Sequence, residues 1–443
     1  MRSSVERFLV ACLLLQAGAA GCSGESSGGN TGGEAGSAGG SPAGGTGGSA
    51  AEPGAGAVAG DDSAVGGLSG EAGDGQGGEA GDGSGATTGT GRFTWEVPAG
   101  FPVPLVPSDN RMTNQKVELG RHLFYDERLS ANGTQSCASC HRQELAFTDG
   151  ETTAIGSTGD AHPRNSMSLA NVGYSSTLTW GNPVLFDLED QALVPMFGTE
   201  PVELGLNGME AELLERLAAV PEYQQLFEAA YPGDDERFTL LNVVRALAAF
   251  QRTLISGNSP YDRFVSGGDA DALSESAKRG LEMFGTEKFE CFHCHAGFAL
   301  QDSVRFVGKT ITESLFHNTG LYNIDGNGAY PAPNTGIHEV TRSPSDMGRF
   351  RVATLRNIAV TAPYMHDGSI ATLSEVLDHY AAGGRTITEG PHAGVGSASP
   401  LRSSFMVGFE MTEEERADLL AFLESLTDDE FLTNPRFSNP WPQ

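Results

Sequence analysis

Cationic side chains are scarce in this chain. Lys and Arg number 27 against 57 Asp and Glu, a formal net charge of −30. So acidic a surface repels a phosphate backbone, which excludes nucleic acid and leaves basic proteins as admissible partners. Residues 23–91 hold no Lys or Arg, yet they carry 27 of the 60 glycines and nine acids. Such a segment cannot bury enough apolar surface to offset the entropy of ordering it, so it reads as a flexible tether. A long apolar run is missing too: FLVACLLL at 8–15 is far too short to span a bilayer. No stretch alternates as a strand would, which excludes a predominantly β fold.

What is present begins with a leader. Arg2 and Arg7, the apolar run and the small residues AGAAGC have the form of an export signal ending at a cysteine. That is the shape of a lipoprotein cleavage site, with the lipid on Cys22. Ala19 stands where a larger aliphatic residue is usual, so a plain soluble export signal remains the alternative. The expected organisation is a signal peptide (1–21), a disordered Gly/Ala/Ser/acid linker (22–92) and two domains, 93–270 and 271–443. The tail from about 427 is expected to pack back on the first. The expected location is the periplasm or the outer membrane, with a lipid anchor at Cys22 as the sole membrane attachment.

Only six cysteines occur; Cys12 lies in the leader and Cys22 is the candidate lipid site. The other four form SCASCH (Cys137, Cys140, His141) and ECFHCH (Cys291, Cys294, His295). Both are Cys-x-x-Cys-His, the c-type haem attachment pattern. Two thiols one helical turn apart reach both vinyl groups of a porphyrin, and the next imidazole comes up beneath the iron. A zinc ribbon would pair its cysteines over a few tens of residues, not across the 150 that part Cys140 from Cys291. Two disulfides would not require His after each pair. The pattern implies two covalent haem c groups, with His141 and His295 as proximal ligands and His293 a solvated or packed residue.

Segments 211–220, 239–255, 274–284 and 412–426 place apolar residues three and four apart, as amphipathic helices do. Thr412 and Glu415 form a capping box at the last. The expected fold is mostly α, two cytochrome c-like haem domains packed against each other.

Taken together, GRHLFYDERLSANGTQSCASCH, HPRNSMSLANVGYSSTLTW, EDQALVPMFGTEPVEL and RFRVATLRNIAVTAPYMHDGS resemble the bacterial dihaem cytochrome c peroxidase/MauG superfamily over about 93–430. HPRNSMSLANV and SPYDRF with ECFHCHAGF resemble its MbnH-type branch, whose members oxidise a tryptophan on a small partner protein. The resemblance implies that the first haem meets hydrogen peroxide and that Glu203, in PVELG, moves the proton; Glu200 is the rival acid. Gln191 and Pro195 match the family's distal pocket, and Trp180 matches a tryptophan lying between the haems. Asn165, Thr361 and Pro363 match a Ca2+ position between the haem loops, where oxygen ligands suit a hard cation. Many of the peroxidases carry a distal histidine where this chain has Ser157, so the first haem is expected to be five-coordinate. His162 is wrongly spaced to replace it.

In TAPYMHDGSIATLSEVLDHYAAGG (361–384), Thr372 and Glu375 form a capping box that starts a helix near Leu373. At 100° per residue, Leu373, Val376, Leu377 and Tyr380 share one face, and His379 turns to the polar side. Tyr380 is the better placed ligand for the second iron. The resemblance agrees, since MauG-like enzymes have Tyr there and peroxidases Met. His366 is implied to lie beside the second haem without bonding it. A phenolic oxygen favours higher oxidation states than a thioether does. The expectation is therefore an enzyme that uses peroxide to form a high-valent dihaem state and oxidises a residue, Trp, of a small periplasmic partner protein. The alternatives are a cytochrome c peroxidase fed by a small cytochrome or cupredoxin, and a non-catalytic electron-transfer protein.

Overall fold

The computed structural model describes residues 93–442. The leader, Cys22 and the glycine-rich segment lie outside the described residues.

Helices make up most of the chain's regular secondary structure. Its helices are α1 (Asn114–Phe124), α2 (Leu188–Phe197), α3 (Glu210–Ala218), α4 (Pro221–Ala230), α5 (Leu240–Arg252), α6 (Pro260–Val265), α7 (Glu275–Phe284), α8 (Leu373–Ala381), α9 (Glu413–Glu424) and α10 (Asp429–Thr433). The four helices expected from periodicity appear as α3, α5, α7 and α9. Local chemistry sets their starts: Thr113 Oγ1 accepts from the Lys116 amide at 3.1 Å. Thr372 with Glu375 and Thr412 with Glu415 close capping boxes on α8 and α9. Two antiparallel ribbons complete the secondary structure, each of two-residue strands. β1 (Phe316–His317) pairs with β2 (Phe350–Arg351), and β3 (Thr386–Ile387) with β4 (Gly394–Val395).

Two helix crossings organise the two largest apolar clusters, and each depends on one glycine. A Cβ on Gly120 of α1 would sit 1.9 Å from the Ala246 carbonyl of α5. A Cβ on Gly280 of α7 would sit 2.0 Å from the Asp418 carbonyl of α9. Any side chain there would force the helices apart. The first core gathers Leu119, Phe124, Phe147 and Phe250, and Phe431 and Phe437 of the C-terminal segment pack into it. The second gathers Phe284, Leu377, Leu419 and Phe422.

Buried polar contacts tie sequence-distant segments together. Arg356 pairs with Asp262 at 2.7 Å, both nearly excluded from solvent. Asp428 Oδ2 accepts from the amides of Gly257 and Asn258, each at 2.9 Å. Among the described residues no helix is long and apolar enough to cross a membrane.

Candidate functional site

Two cavities open inside the fold, and each is lined by one Cys-x-x-Cys-His sequence. At the first, Cys137 and Cys140 sit on a single helical turn that Ser136 and Ser139 cap reciprocally. His141 follows, and its Nδ1 lies 2.7 Å from the Phe147 carbonyl. Ala146 and Phe147 adopt left-handed backbone at φ 51° and 62°, which turns that carbonyl back. A carbonyl can only accept, so Nδ1 carries the proton and Nε2 keeps its lone pair for a metal.

The second motif repeats this logic with other residues. Cys291 opens a tight turn, and His295 Nδ1 lies 3.2 Å from the carbonyl of Leu300, itself left-handed at φ 48°. All four thiols are free of disulfides. His293 is held between the Glu287 and Glu290 carboxylates and stacks on Phe405, so it is packed at the surface.

Around the first cavity stand Gln191 and Pro195 of α2, Glu200, Glu203 and Trp180. Glu200 is exposed. Burial pushes the Glu203 carboxyl up to about 7. His162 lines this cavity too.

The second cavity is walled by Leu373, Val376, Leu377 and Tyr380, the four residues expected on one face of α8. Burial drives the Tyr380 phenol well above its ordinary value. His379 corrects the helical-wheel reading: it is 4 % exposed rather than solvated. The wheel assumes one wet face. Here residues 383–409 fold over it, with the Gly384 amide bonded to His379 O and that of Phe409 to Ala381 O.

His366 is buried and stacks on Phe350, centroids 3.7 Å apart, with its Nε2 unpartnered. Arg351, which the sequence reading missed, is 6 % exposed and lines the same cavity. Its guanidinium reaches the Thr177 carbonyl and Met167 Sδ, its Nε has no partner, and burial lowers its pKa to about 10. Among the described residues no carboxylate pairs with it. An unpaired cation and an orphaned imidazole nitrogen around an apolar cavity suit a group with an apolar plane and anionic substituents. A haem with its propionates is such a group, and both motifs fit its covalent attachment.

Asn165, Ser166, Met167 and Trp180 line both cavities. Asn165 Nδ2 donates to the Glu151 carbonyl at 2.8 Å, which leaves the side-chain oxygen able to face a cation. Thr361 and Pro363 line the second cavity beside it.

The profile of the di-haem cytochrome c peroxidase family matches residues 114–270. The methylamine utilization protein MauG of Methylorubrum extorquens is 38 % identical over 323 residues, covering 72 % of this chain and 80 % of that protein. The cytochrome-c peroxidase IdrP1 of Denitromonas iodatirespirans is 35 % identical over 343 residues, covering 74 % of this chain and 85 % of its own. A crystal structure described as a MauG-like protein associated with microbial copper homeostasis is 51 % identical, with a TM-score of 0.77. That match covers 79 % of this chain and all of the other.

Proposed function

The chain belongs to the di-haem cytochrome c peroxidase/MauG family, and on that premise we propose that it is a peroxide-dependent oxidase that oxidises a tryptophan on a small partner protein. Membership makes it a peroxidase-type oxidoreductase with two haem c groups. When bound, these supply irons that exchange electrons and, at the first site, meet hydrogen peroxide.

The observation that carries the oxidase reading is the phenol of Tyr380 lining the cavity of His295. A hard oxygen ligand there favours holding an oxidising equivalent over collecting electrons one at a time. The family likeness at 51 % identity supports the same reading.

With haem bound, His141 and His295 would each hold an iron through Nε2. Glu203, with a carboxyl poised near neutral pH, takes a proton from peroxide and returns it to the departing oxygen. Gln191 and Pro195 shape that pocket. Trp180, common to both walls, passes electrons between the two sites. His366 packs against the second haem. Asn165, Thr361 and Pro363 hold a Ca2+ that ties the two haem loops together. Residues 93–270 form the peroxide-reacting domain and 271–443 the second haem domain. A lipid on Cys22, in the periplasm or at the outer membrane, would tether the working part.

Incubating the diferric protein with peroxide and a small secreted protein encoded beside it tests the reading. An oxygen-weight mass increase on a partner tryptophan is the expected result. Steady peroxide consumption with reduced cytochrome c and an unmodified partner would overturn it. That outcome belongs to the second reading, peroxide reduction fed by a small cytochrome or cupredoxin, which the peroxidase relatives favour.

A further inference from the structure

The first cavity holds a second titratable side chain that the chemistry above does not use. His162 shares its wall with Glu203, and its Nε2 lies 4.0 Å from Glu203 Oε1. Residues 154–162 fold back on themselves: Ile155 bridges Ala161, and the His162 amide donates to the Ala154 carbonyl at 2.8 Å. This turn is bonded to the glutamate's own segment, because the Ser157 amide donates to the Glu203 carbonyl at 2.7 Å. Gly156 permits the approach, since a Cβ there would meet the Val202 carbonyl at 1.9 Å. Backbone bonds therefore fix how near the segments that carry His162 and Glu203 lie to each other.

The ring is oriented from its other side. Nδ1 lies 3.0 Å from both the amide and the carbonyl of Arg164. The amide can only donate and the carbonyl only accept, so these contacts hold the ring in place for either neutral tautomer; in the one that accepts from the amide, the ring proton sits on Nε2, towards Glu203. Burial lowers the imidazole's pKa, which favours the neutral ring. Besides Glu203, the charged groups facing His162 are Arg164 and Asp149, and Arg164 is itself bonded to Glu339 and Asn334.

We propose that His162 is a positioning residue for Glu203, its Nε2–H holding the carboxylate, directly or through one water, in the orientation that takes a proton from hydrogen peroxide. The inference rests on the reading of Glu203 as the acid that handles that proton. The carboxylate accepts a proton from the oxygen of HOOH nearer the iron and returns it to the farther one. With the haems bound, the O–O bond would break as the farther oxygen leaves as water, and the two haems would supply the two electrons that bring the remaining oxygen to the oxide level. His162 keeps its own proton throughout, so the pair ends the step as it began.

The test compares the dihaem wild type with His162→Phe, His162→Gln and Glu203→Gln, each checked for haem content and circular dichroism. Stopped-flow absorbance gives the bimolecular rate with peroxide from pH 5 to 9. Infrared titration follows the carboxyl band that Glu203→Gln removes. Glu203→Gln should slow the reaction by about 100-fold or more. His162→Phe should slow it about tenfold, the cost of one lost hydrogen bond, and move the carboxyl midpoint to higher pH. His162→Gln, which keeps an N–H donor, should restore both. If Glu203→Gln is slow but His162→Phe reacts like wild type with an unmoved midpoint, this inference falls and the role of Glu203 stands. Equal slowing in both His162 variants with no shift of the midpoint means a structural role and overturns the proposal as well. A wild-type rate in Glu203→Gln removes the premise, and the proposal with it.

Discussion

The indole nitrogen of Trp180 donates to the backbone carbonyl of Asn165 at 2.8 Å, and both residues line both haem cavities. The bond fixes an oxidisable ring in the partition between the two sites. Trp180→Phe keeps the ring volume close but removes both the hydrogen bond and the easily oxidised indole. Peroxide-induced absorbance changes at the two haems, which the proposed coupling makes concerted in the wild type, should then separate in time by at least tenfold in stopped-flow traces. Concerted changes in Trp180→Phe would assign the coupling to another route.

On the proposed reading, Tyr380 sets the character of the second site. Tyr380→Phe should alter the resting optical and EPR spectra of that haem while the first keeps its own. Tyr380→Met should go further and raise the second haem's reduction potential, because a soft thioether stabilises the reduced iron. Spectroelectrochemistry measures this. An unchanged resting spectrum in Tyr380→Phe would remove Tyr380 from the iron.

Much of this was legible in the sequence, and for identifiable reasons. Cys137–His141 and Cys291–His295 are local patterns whose chemistry depends on adjacent residues. The apolar face of α8 could be read because its period is helical. His379 could not, because what covers it is a loop that returns from residues 383–409. His162 was judged by its distance from Arg164 along the chain, whereas the turn at 154–162 decides where it lies. Arg351 gave no signal at all, since an arginine in RFRVATLRN looks like any surface cation until the fold buries it.

That buried guanidinium should act on the second haem. A nearby cation stabilises the electron-rich, reduced state. Arg351→Met should therefore lower the second haem's reduction potential by roughly 40 mV or more, equivalent to about 1 kcal/mol of lost charge interaction. Potentiometric titration of the two haems separates this from a general effect, because the first haem should move less.

Arg356 offers a test of stability alone. It pairs with Asp262 at 2.7 Å deep in the fold and lines neither cavity. Arg356→Met would leave a buried carboxylate without its partner, at a cost of about 3–5 kcal/mol. Denaturant unfolding of the dihaem protein should show a lower midpoint, with the haem spectra of the folded state unchanged.

Glu203 joins stability to chemistry, and the sign follows from linkage. Its carboxyl is raised from 4.5 to about 7 by burial, so the folded state binds this proton more tightly than the unfolded chain does. The resulting stability is fully present below pH 4.5 and lost as pH rises through 7, where the carboxylate must ionise in a poorly solvated cavity. Glu203→Gln removes the penalty. The variant should match wild type in melting temperature at pH 4.5 and exceed it at pH 8. The side chain keeps 33 % of its exposure, so the gain is about 1 kcal/mol rather than the full value of the shift. The same variant should react slowly with peroxide, since the group that destabilises the fold is the one proposed to move the proton. A melting difference of equal size at both pH values would mean that Glu203 is not the buried acid titrating near neutrality.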